Sequence, residues 1–206
     1  MASIYIPFYS RYGNTEAMAL AVAEGVRQAG SEPTLAFTGD VMTPSAVIAA
    51  DPRWQESHER MTAAYPAASV AALGAADGAI IGAPTRYGVM AAQMKNFIDQ
   101  TASLWLAGAT INKPAGFFTS TATLHGGQEV TILTSYAPLI HLGFVVVGVP
   151  YSVQNLFTTT GGGTPYGPSH VAGPNSDQPL TADEAAICVA LGERVARLAD
   201  ALKEMR

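Results

Sequence analysis

The pattern of apolar positions begins with a strand followed by a helix. Residues 3–9 form a short run of β-branched and aromatic side chains, which is typical of a strand. Apolar residues then recur at the three- and four-residue spacing of one helix face, at Met18, Ala21, Val22, Gly25, Val26 and Ala29. Residues 10–15 therefore join the C-terminal end of a strand to the N-terminus of a helix.

The same succession of strand and helix repeats along the chain. Further strands are predicted at residues 33–38, 78–83, 114–119 and 144–149. Helical spacing follows at residues 94–101, 130–141 and 187–202, and a capping box formed by Thr181 and Glu184 opens the last helix. Pro138 is expected to shorten or kink the middle one. This succession predicts an α/β fold with a parallel sheet and helices on both faces.

Two stretches lack such a pattern. Residues 40–73 contain three prolines, and we predict an elaborated connection there with one small helix around residues 54–61. Trp54 and His58 within it are expected to pack at the surface. Residues 150–179 are rich in glycine, proline and threonine and are predicted to lack regular structure. A loop of this length in a compact domain is usually functional or held by a partner.

The composition is that of a compact globular protein. The chain has 206 residues, 49% of them hydrophobic and 13% charged, and we expect a single domain spanning residues 1–206. The net charge of −5 and the lack of a basic run argue against nucleic acid or an anionic membrane as a partner. Sparse charge also indicates that part of the surface is covered by another chain.

Cysteine, histidine and the N-terminal sequence narrow the class further. The single cysteine, Cys188, lies on the apolar stripe of the last helix, so we expect an inert, buried thiol. One cysteine allows no disulfide within the chain, which fits a reducing cytosol. The four histidines form no ligand cluster, so no metal site is predicted. We find no leader and no apolar run of membrane-spanning length, and we therefore expect a cytoplasmic protein.

The loop at residues 10–15 has the chemistry of a phosphate site. The first N–H groups of a helix lack internal partners and lie at the positive end of its dipole. Ser10 and Thr15 add hydroxyl groups, and Gly13 lets the backbone approach an anion or adopt a positive φ. A simpler interpretation also remains open, in which Asn14 merely caps the helix and Ser10 closes a turn.

Two standard phosphate-binding motifs are absent from the sequence. It contains no G-x-x-x-x-G-K-[ST] motif, and no G-x-G-x-x-G follows the first strand. A loop suited to one terminal phosphate, as in a mononucleotide, remains. Residues 82–90 and 118–129 have the same character, because each follows an apolar strand and is rich in hydroxyl groups and glycine. Ligands of parallel sheets bind at the C-terminal edge, where we expect all three loops.

Together these loops resemble the three flavin mononucleotide (FMN) loops of the flavodoxin-like superfamily. The resemblance is stronger to one branch, the tryptophan-repressor-binding-protein type of NAD(P)H:quinone oxidoreductase. Its characteristic segments correspond to residues 9–14, 84–88, 97–101, 120–121 with 126–129, and 162–167. The resemblance runs from the first strand to the last helix, apart from residues 38–73. It implies a doubly wound, five-stranded flavodoxin-like sheet with the strand order 2-1-3-4-5.

The resemblance also implies a set of cofactor-binding residues. Non-covalent FMN would place its phosphate on residues 10–15 and its ring between residues 85–89 and 120–127. The implied cofactor-binding residues are Ser10, Arg11, Tyr12, Gly13, Asn14, Thr15, Pro84, Thr85, Arg86, Tyr87, Gly88, Ser120, Thr121, Ala122, Thr123, Gly126 and His141. Arg86 is expected to stabilise negative charge on the reduced flavin, or else to pair with a nearby carboxylate.

Substrate-binding roles are implied for Tyr12 and Trp105. Tyr12 would lie beside the open face of the ring, where a nicotinamide stacks, or serve as a buried anchor of its loop. In the family, the residues that match Trp105 and His141 reach the active site, in some arrangements from a neighbouring subunit of a homotetramer. From the residues alone, Trp105 would be a core residue and His141 a cation at a helix end.

The third loop departs from the family pattern. Residues 122–125 stand where mostly glycines are expected, and Leu124 and His125 are expected to narrow the space over the flavin. Three functions remain open: a ping-pong, two-electron reductase of quinones that uses NADH or NADPH, a flavodoxin-type electron carrier, and a flavin-dependent regulatory binding protein. Arg11, Arg86 and His125 make the rim of the site basic, which favours the enzyme.

Overall fold

The structure, a computed structural model, describes residues 1–205. Its strands are β1 (Ser3–Phe8), β2 (Glu32–Phe37), β3 (Gly78–Gly82), β4 (Thr85–Arg86), β5 (Val89–Met90), β6 (Pro114–Thr121), β7 (Val145–Val146) and β8 (Ser169–Val171). Its α-helices are α1 (Asn14–Gln28), α2 (Ser45–Ala49), α3 (Pro52–Ala64), α4 (Val70–Ala75), α5 (Ala92–Asp99), α6 (Ala102–Ala107), α7 (Gln128–His141), α8 (Asn155–Thr158) and α9 (Ala182–Ala201). A short 3₁₀ helix covers Lys203–Met205.

The main sheet is parallel and has the strand order β2-β1-β3-β6-β7. Counted over the five principal strands, this is the predicted order 2-1-3-4-5, so the predicted fold class is confirmed. β3 and β6 are buried along their whole length, as expected of central strands covered on both faces. β4 and β5 form a separate antiparallel hairpin immediately after β3.

The last strand of the sheet is divided between two segments. The predicted strand at residues 144–149 is regular only at Val145–Val146, which pairs with the start of β6. The end of β6 pairs instead with β8, in parallel, from Thr119 to Thr121. The prediction that residues 150–179 lack regular structure is therefore wrong, since they contain α8 and β8. β8 extends the sheet beside the C-terminal end of β6, where ligands of such sheets bind.

Residues 40–73 also differ from their prediction. They form α2, α3 and most of α4 rather than one small helix. Pro52 does not interrupt α3 but begins it, because the first helical position needs no N–H donor. Asp51 caps this helix by accepting a hydrogen bond from the N–H of Trp54 at 3.2 Å. Trp54 is only 5% exposed, so its assignment to the surface was wrong.

Helices cover both faces of the sheet. One apolar cluster joins the sheet to α1 and α9, and a second joins it to α4, α5 and α7. Helices α1 and α9 approach closely, because a Cβ atom on Gly25 would lie 2.0 Å from the carbonyl oxygen of Val189. Cys188 is buried in the first cluster, and burial raises the pKa of its thiol. The capping box of Thr181 and Glu184 opens α9 as predicted.

Three further features bear on the predictions. α7 continues through Pro138 to His141, so the proline does not end it. Over residues 1–205, no helix is both long and apolar enough to span a membrane. The same residues contain no group of three or more histidine, cysteine, aspartate or glutamate side chains arranged to hold a metal ion.

Candidate functional site

A cavity of about 250 Å³ opens at the C-terminal edge of the sheet, beyond β1, β3 and β6. Eleven residues of the predicted set line it: Ser10, Arg11, Tyr12, Asn14, Thr15, Pro84, Thr85, Arg86, Ser120, Thr121 and Ala122. Ala172 and Ser176 complete the lining. The fold thus brings the three predicted loops together, because the C-terminal ends of neighbouring parallel strands meet at one edge.

The first loop presents the uncapped N-terminus of α1 to this cavity. Gly13 stands at the N-cap position with φ +96°, and no side chain within residues 1–205 caps the first turn. Asn14 is therefore not the cap that the simpler interpretation required. Ser10 does close the turn, since its Oγ accepts a hydrogen bond from the N–H of Gly13 at 3.1 Å. Free N–H groups at the positive end of a helix favour an anion.

Buried hydroxyl groups connect the first loop to the third. Thr15 Oγ1 and Ser120 Oγ lie 3.0 Å apart, and both residues are at most 5% exposed. This bond joins the first turn of α1 to the end of β6, across the cavity floor. Thr121 Oγ1 donates to the carbonyl of Thr123 at 2.8 Å, which turns the chain after β6. One of the two hydroxyl groups still has its O–H to donate to a ligand, and the remaining lone pairs of both oxygens can accept.

The second loop is the tight hairpin of β4 and β5. Tyr87 and Gly88 occupy its turn with φ of +53° and +84°, the left-handed values of a two-residue hairpin. Thr85 Oγ1 lies 2.7 Å from Thr131 Oγ1 and accepts the N–H of Gly88 at 3.2 Å, which fixes the hairpin to α7. Tyr87 is fully exposed and, like Gly88, does not line the cavity.

The cavity is electrostatically positive. Arg11 and Arg86 are the charged residues of the lining, which includes no carboxylate among the described residues. Arg86 donates from Nη1 to the carbonyl of Thr85 at 2.8 Å and forms no ion pair within residues 1–205. The predicted alternative of a carboxylate partner for Arg86 is therefore not observed. Arg11 Nε is buried and has no hydrogen-bond partner among residues 1–205.

Helix α3, which is longer than the small helix predicted around residues 54–61, supports the first loop from outside. The guanidinium of Arg11 lies 3.8 Å from the ring centre of Trp54 and 3.6 Å from Asp51. Tyr12 donates its hydroxyl to Asp51 Oδ2 at 2.6 Å. This bond lowers the pKa of Asp51, and burial followed by the same bond raises the pKa of Tyr12. Of the two predicted roles of Tyr12, the contact with Asp51 favours an anchored loop residue.

Asp40 connects helix α3 to the end of β1, because it contacts both Trp54 and Tyr9. Its buried carboxylate accepts hydrogen bonds from Tyr9 at 2.7 Å, Trp54 at 3.1 Å and Gln93 at 2.9 Å. His58 Nδ1 lies 3.3 Å from the same carboxylate. Burial, and next the bond to Asp40, raises the pKa of Tyr9 far above its ordinary value. The residues that sequence analysis assigned to surface packing therefore form a polar network behind the first loop.

The third loop reaches the cavity through fewer residues than predicted. Thr123 and Gly126 lie outside the lining and close a turn, in which the N–H of Gly126 donates to the carbonyl of Thr123 at 3.0 Å. Leu124 is 50% exposed, and neither it nor the exposed His125 lines the cavity. The expected narrowing of the site by these two side chains is not observed within one chain.

Trp105 and His141 lie together, but not in this cavity. Both line a second hollow of about 480 Å³ between the ends of α5, α6 and α7. Trp105 is 59% exposed, which excludes the core position expected from the residues alone. His141 ends α7, as expected of a helix-end cation. Within a single chain, neither side chain reaches the predicted phosphate loop.

Ala172 and Ser176 were missed as site residues. They follow β8, whose pairing with β6 carries the segment after it to the C-terminal edge of the sheet. The only available signal was the length of the loop at residues 150–179, which predicted a function without a position. Ser176 also has φ +54°, a strained value for a residue other than glycine.

The fold and cavity define a class: a flavodoxin-like α/β protein with a basic cavity at the C-terminal edge of its sheet. Solved structures support the fold. A WrbA-like flavodoxin from Agrobacterium tumefaciens superposes with a TM-score of 0.62 at 24% identity, over 98% of this chain and 100% of that chain. Flavodoxin 1 from Bacillus cereus superposes with a TM-score of 0.59 at 17% identity, over 95% of this chain and 98% of that chain.

Sequence comparisons identify the family. The model of the NADPH-dependent FMN reductase family matches residues 9–158. The NAD(P)H dehydrogenase (quinone) of Trichlorobacter lovleyi is 41% identical, over 96% of this chain and 97% of its own. That of Syntrophobacter fumaroxidans is 44% identical, over 95% and 96%. The chain belongs to the NAD(P)H dehydrogenase (quinone) family, within the NADPH-dependent FMN reductase family, and the resemblance seen in the sequence is confirmed.

Proposed function

We propose that this chain is an NAD(P)H:quinone oxidoreductase that binds FMN non-covalently and reduces quinones by two electrons. The observation that carries the proposal is the basic cavity at the sheet edge, formed by the three predicted loops. The relatives in Trichlorobacter lovleyi and Syntrophobacter fumaroxidans carry the same activity in their names. Fold alone would not assign an activity, so the proposal rests on the site together with these relatives.

The residues present fit the phosphate of a mononucleotide. The N–H groups at the uncapped N-terminus of α1, the hydroxyl groups of Ser10 and Thr15, and the guanidinium of Arg11 belong to residues that line the same cavity. These are the donors that bind a terminal phosphate. The dinucleotide fingerprint is absent, which favours FMN over an adenine-containing flavin.

The protein supplies binding, orientation and charge rather than the redox chemistry. A bound flavin would take two electrons from a nicotinamide and give them to a quinone. Arg86, with no ion pair among the described residues, would stabilise negative charge near the ring. Thr85, fixed by its contact with Thr131, would hold the hairpin against the edge of the ring. NADH and NADPH are both anionic, so the basic lining suits either donor.

We propose that the donor and the quinone occupy the cavity in turn. One cavity serves both, so the oxidised nicotinamide must leave before the quinone enters. The kinetics should then be ping-pong, with parallel double-reciprocal lines when the quinone concentration is varied at several NADPH concentrations. Intersecting lines would indicate a ternary complex and would contradict a shared cavity.

A flavodoxin-type electron carrier is the principal alternative. The two arginines of the lining, with no described carboxylate beside them, favour a protein that receives an anionic nicotinamide nucleotide. Stopped-flow mixing of the flavin-loaded protein with NADPH separates the two functions. The enzyme should lose its flavin absorbance rapidly and regain it when benzoquinone is added, whereas a carrier should react slowly with NADPH.

The cofactor itself is tested by release and identification. Purified protein, reconstituted with flavin if necessary, should show flavin absorbance, and acid precipitation should release FMN into the supernatant. Recovery of flavin adenine dinucleotide, or of no flavin after reconstitution, would contradict the proposal.

We further propose that the active unit is a homotetramer. Exposed apolar side chains lie near the second hollow and near the edge strand β7: Trp105, Leu106, Ile111, Ile140, Val145 and Val146. A patch of this kind on a chain with sparse charge is typical of an interface between subunits. In such an assembly Trp105 and His141 would approach the flavin of a neighbouring subunit, which accounts for their distance from the cavity of their own chain.

A further inference from the structure

The segment after β8 closes one side of the cavity, and its attachment is not explained by the family loops. We call residues 173–178 the closing segment. Ala172 donates its N–H to the carbonyl of Thr121 at 2.8 Å, so the segment leaves the sheet beside the third loop. Its residue Ser176 then lines the cavity next to the first loop. The closing segment therefore borders the cavity at Ser176, beside the first loop.

Two separate parts of the chain, the first turns of α1 and α3, contact the backbone of this segment. Asn14 Nδ2 donates to the carbonyl of Ser176 at 3.1 Å, from the first turn of α1. Arg53 Nη2 donates to the same carbonyl at 3.3 Å, from the first turn of α3. Arg53 Nη1 donates to the carbonyl of Asn175 at 2.9 Å. Arg53 thus holds two successive carbonyls with the fork of one guanidinium.

The backbone conformation shows that this position is imposed on the segment. Ser176 has φ +54°, a conformation that persists in a non-glycine residue only when surrounding contacts hold it. Asn14 and Arg53 provide those contacts at its carbonyl. Arg53 itself lies 5.0 Å from the ring centre of Tyr12, so the same guanidinium also covers the first loop.

We propose that Arg53 is a positioning residue that holds the closing segment over the phosphate end of the cavity and thereby slows release of FMN. This role rests on the FMN site proposed above. Arg53 does not line the cavity and acts through Ser176 and Asn14. A ligand whose phosphate lies under the segment can leave only when these bonds open. Riboflavin, which has no phosphate, does not reach this end of the site.

The proposal is tested by comparing FMN with riboflavin in three variants. Arg53→Ala removes both bonds, and Arg53→Lys leaves an ammonium that cannot bond both carbonyls as a fork. Arg27→Ala is the matched control, because among residues 1–205 Arg27 forms an ion pair only with exposed Glu24 on α1, at 3.6 Å. Dissociation rates of FMN and dissociation constants of both flavins are measured by flavin fluorescence.

Arg53→Ala should release FMN about three- to tenfold faster, since exposed charged hydrogen bonds contribute modestly. Its affinity for riboflavin should stay within about twofold of the wild type. The rate of FMN release from Arg53→Lys should lie between the rates of the wild type and Arg53→Ala. Arg27→Ala should release FMN at the rate of the wild type. Unchanged FMN release in Arg53→Ala, or an equal loss of affinity for FMN and riboflavin, would overturn the role of Arg53.

A second measurement keeps this test independent of the proposed activity. In the flavin-free protein, amide hydrogen exchange at Ser176 and Gln178 should be faster in Arg53→Ala than in the wild type. Their N–H groups donate to the carbonyls of Gly173 and Ala172, and these hydrogen bonds open when the closing segment is released. Equal exchange would show that Arg53 does not hold the segment. If the wild type binds no FMN, the proposed function fails and this role fails with it. FMN binding with unchanged release in Arg53→Ala overturns only the role of Arg53.

Discussion

At the scale of single residues, the contact between Thr15 and Ser120 combines two predicted loops into one site. Their hydroxyl oxygens lie 3.0 Å apart and are buried. Neither loop would be rigid without the other, because each follows a different strand. The hydroxyl groups are therefore held in place before a ligand arrives, which reduces the cost of binding.

Thr15→Val should weaken FMN binding while leaving the fold intact. Valine has nearly the same shape but loses the bond to Ser120 and a bond to the phosphate, and a hydrogen bond to a charged group contributes roughly 1.5–3 kcal/mol. The dissociation constant should rise about ten- to a hundredfold in a fluorescence titration. Thr62→Val, an exposed change on α3, is the control. An unchanged constant would show that Thr15 does not bind the phosphate.

Glu184 is a second residue with a defined electrostatic role. It accepts hydrogen bonds from the N–H groups of Gly162 at 2.8 Å, Val171 at 3.0 Å and Thr181 at 2.9 Å. His170 Nδ1 lies 2.9 Å away, and both side chains are 1% exposed. Burial alone would raise the pKa of Glu184, but His170 and the backbone donors together lower it from 4.5 to about 2.

This lowered pKa predicts a loss of stability in acid. Because the folded value lies below the unfolded value of 4.5, the contribution is complete above pH 4.5 and disappears as the pH falls toward about 2. It amounts to roughly 3 kcal/mol of unfolding free energy. Urea unfolding from pH 6 to pH 2 should show this dependence in the wild type and in Asp183→Asn. If Glu184→Gln loses the same unfolding free energy between pH 6 and pH 2, groups other than Glu184 cause the loss.

At the scale of elements, the closest packing in the fold is between α1 and α9. A Cβ atom on Gly192 would lie 2.1 Å from the carbonyl oxygen of Val22, and Gly25 makes the reciprocal approach to α9. The two glycines thus allow the helix backbones to meet. The contact with α9 helps to set the position of α1 relative to the sheet. Because α1 begins within the first loop, the contact also helps to position that loop.

Gly192→Ala should therefore destabilise the protein, although alanine is the better helix former. The added methyl group meets backbone rather than a movable side chain, and overpacking of this kind costs about 1–3 kcal/mol. Gly74→Ala in α4 is the matched control, because its Cβ meets only the end of the Leu104 side chain. Equal unfolding free energies for the two variants would contradict the close contact of α1 and α9.

Helix α3 is the element that most changes the picture of the site. Its first turn supplies Arg53 and Trp54, and its cap Asp51 binds Tyr12. Its third turn supplies Arg60, which forms a two-point ion pair with Glu16 in the first turn of α1. The first loop, residues 10–15, is consequently held between the sheet and a helix that has no clear counterpart in the family segments recognised in the sequence.

At the scale of the whole molecule, the second hollow and its apolar surroundings predict assembly. Trp105 and Leu106 are 59% and 77% exposed at the end of α6. If Trp105 closes the pocket of a neighbouring subunit, Trp105→Ala should lower quinone turnover more than it lowers FMN affinity. Leu20→Ala, on the exposed side of α1, should change neither.

Light scattering over a dilution series, together with activity assays, measures this assembly. Wild-type protein should be a tetramer, and its activity should fall where dilution separates the subunits, since obligate interfaces are large and apolar. A fully active monomer would contradict the shared site and the roles proposed for Trp105 and His141.

The sequence by itself determined the sheet and the three loops at its edge. Apolar runs bounded by turn residues predicted the central strands, and helical spacing predicted α1, α5, α7 and α9. The family resemblance carried by these loops then named eleven residues of the cavity lining. These features are readable because each depends on residues close together in the chain: periodicity, a capping pattern, or glycine beside hydroxyl groups.

Only the tertiary structure decided what surrounds those loops. Helix α3 lies against the first loop through contacts that join Arg11 to Trp54 and Tyr12 to Asp51, about 40 positions apart in the chain. The strand at Val145–Val146 pairs only with the start of β6, and β8 pairs with its end. This division depends on pairing between segments that are far apart in the chain. Arg53 and Ser176 meet although 123 positions separate them. Such contacts have no local pattern, because their energy comes from partners that only the folded chain brings together.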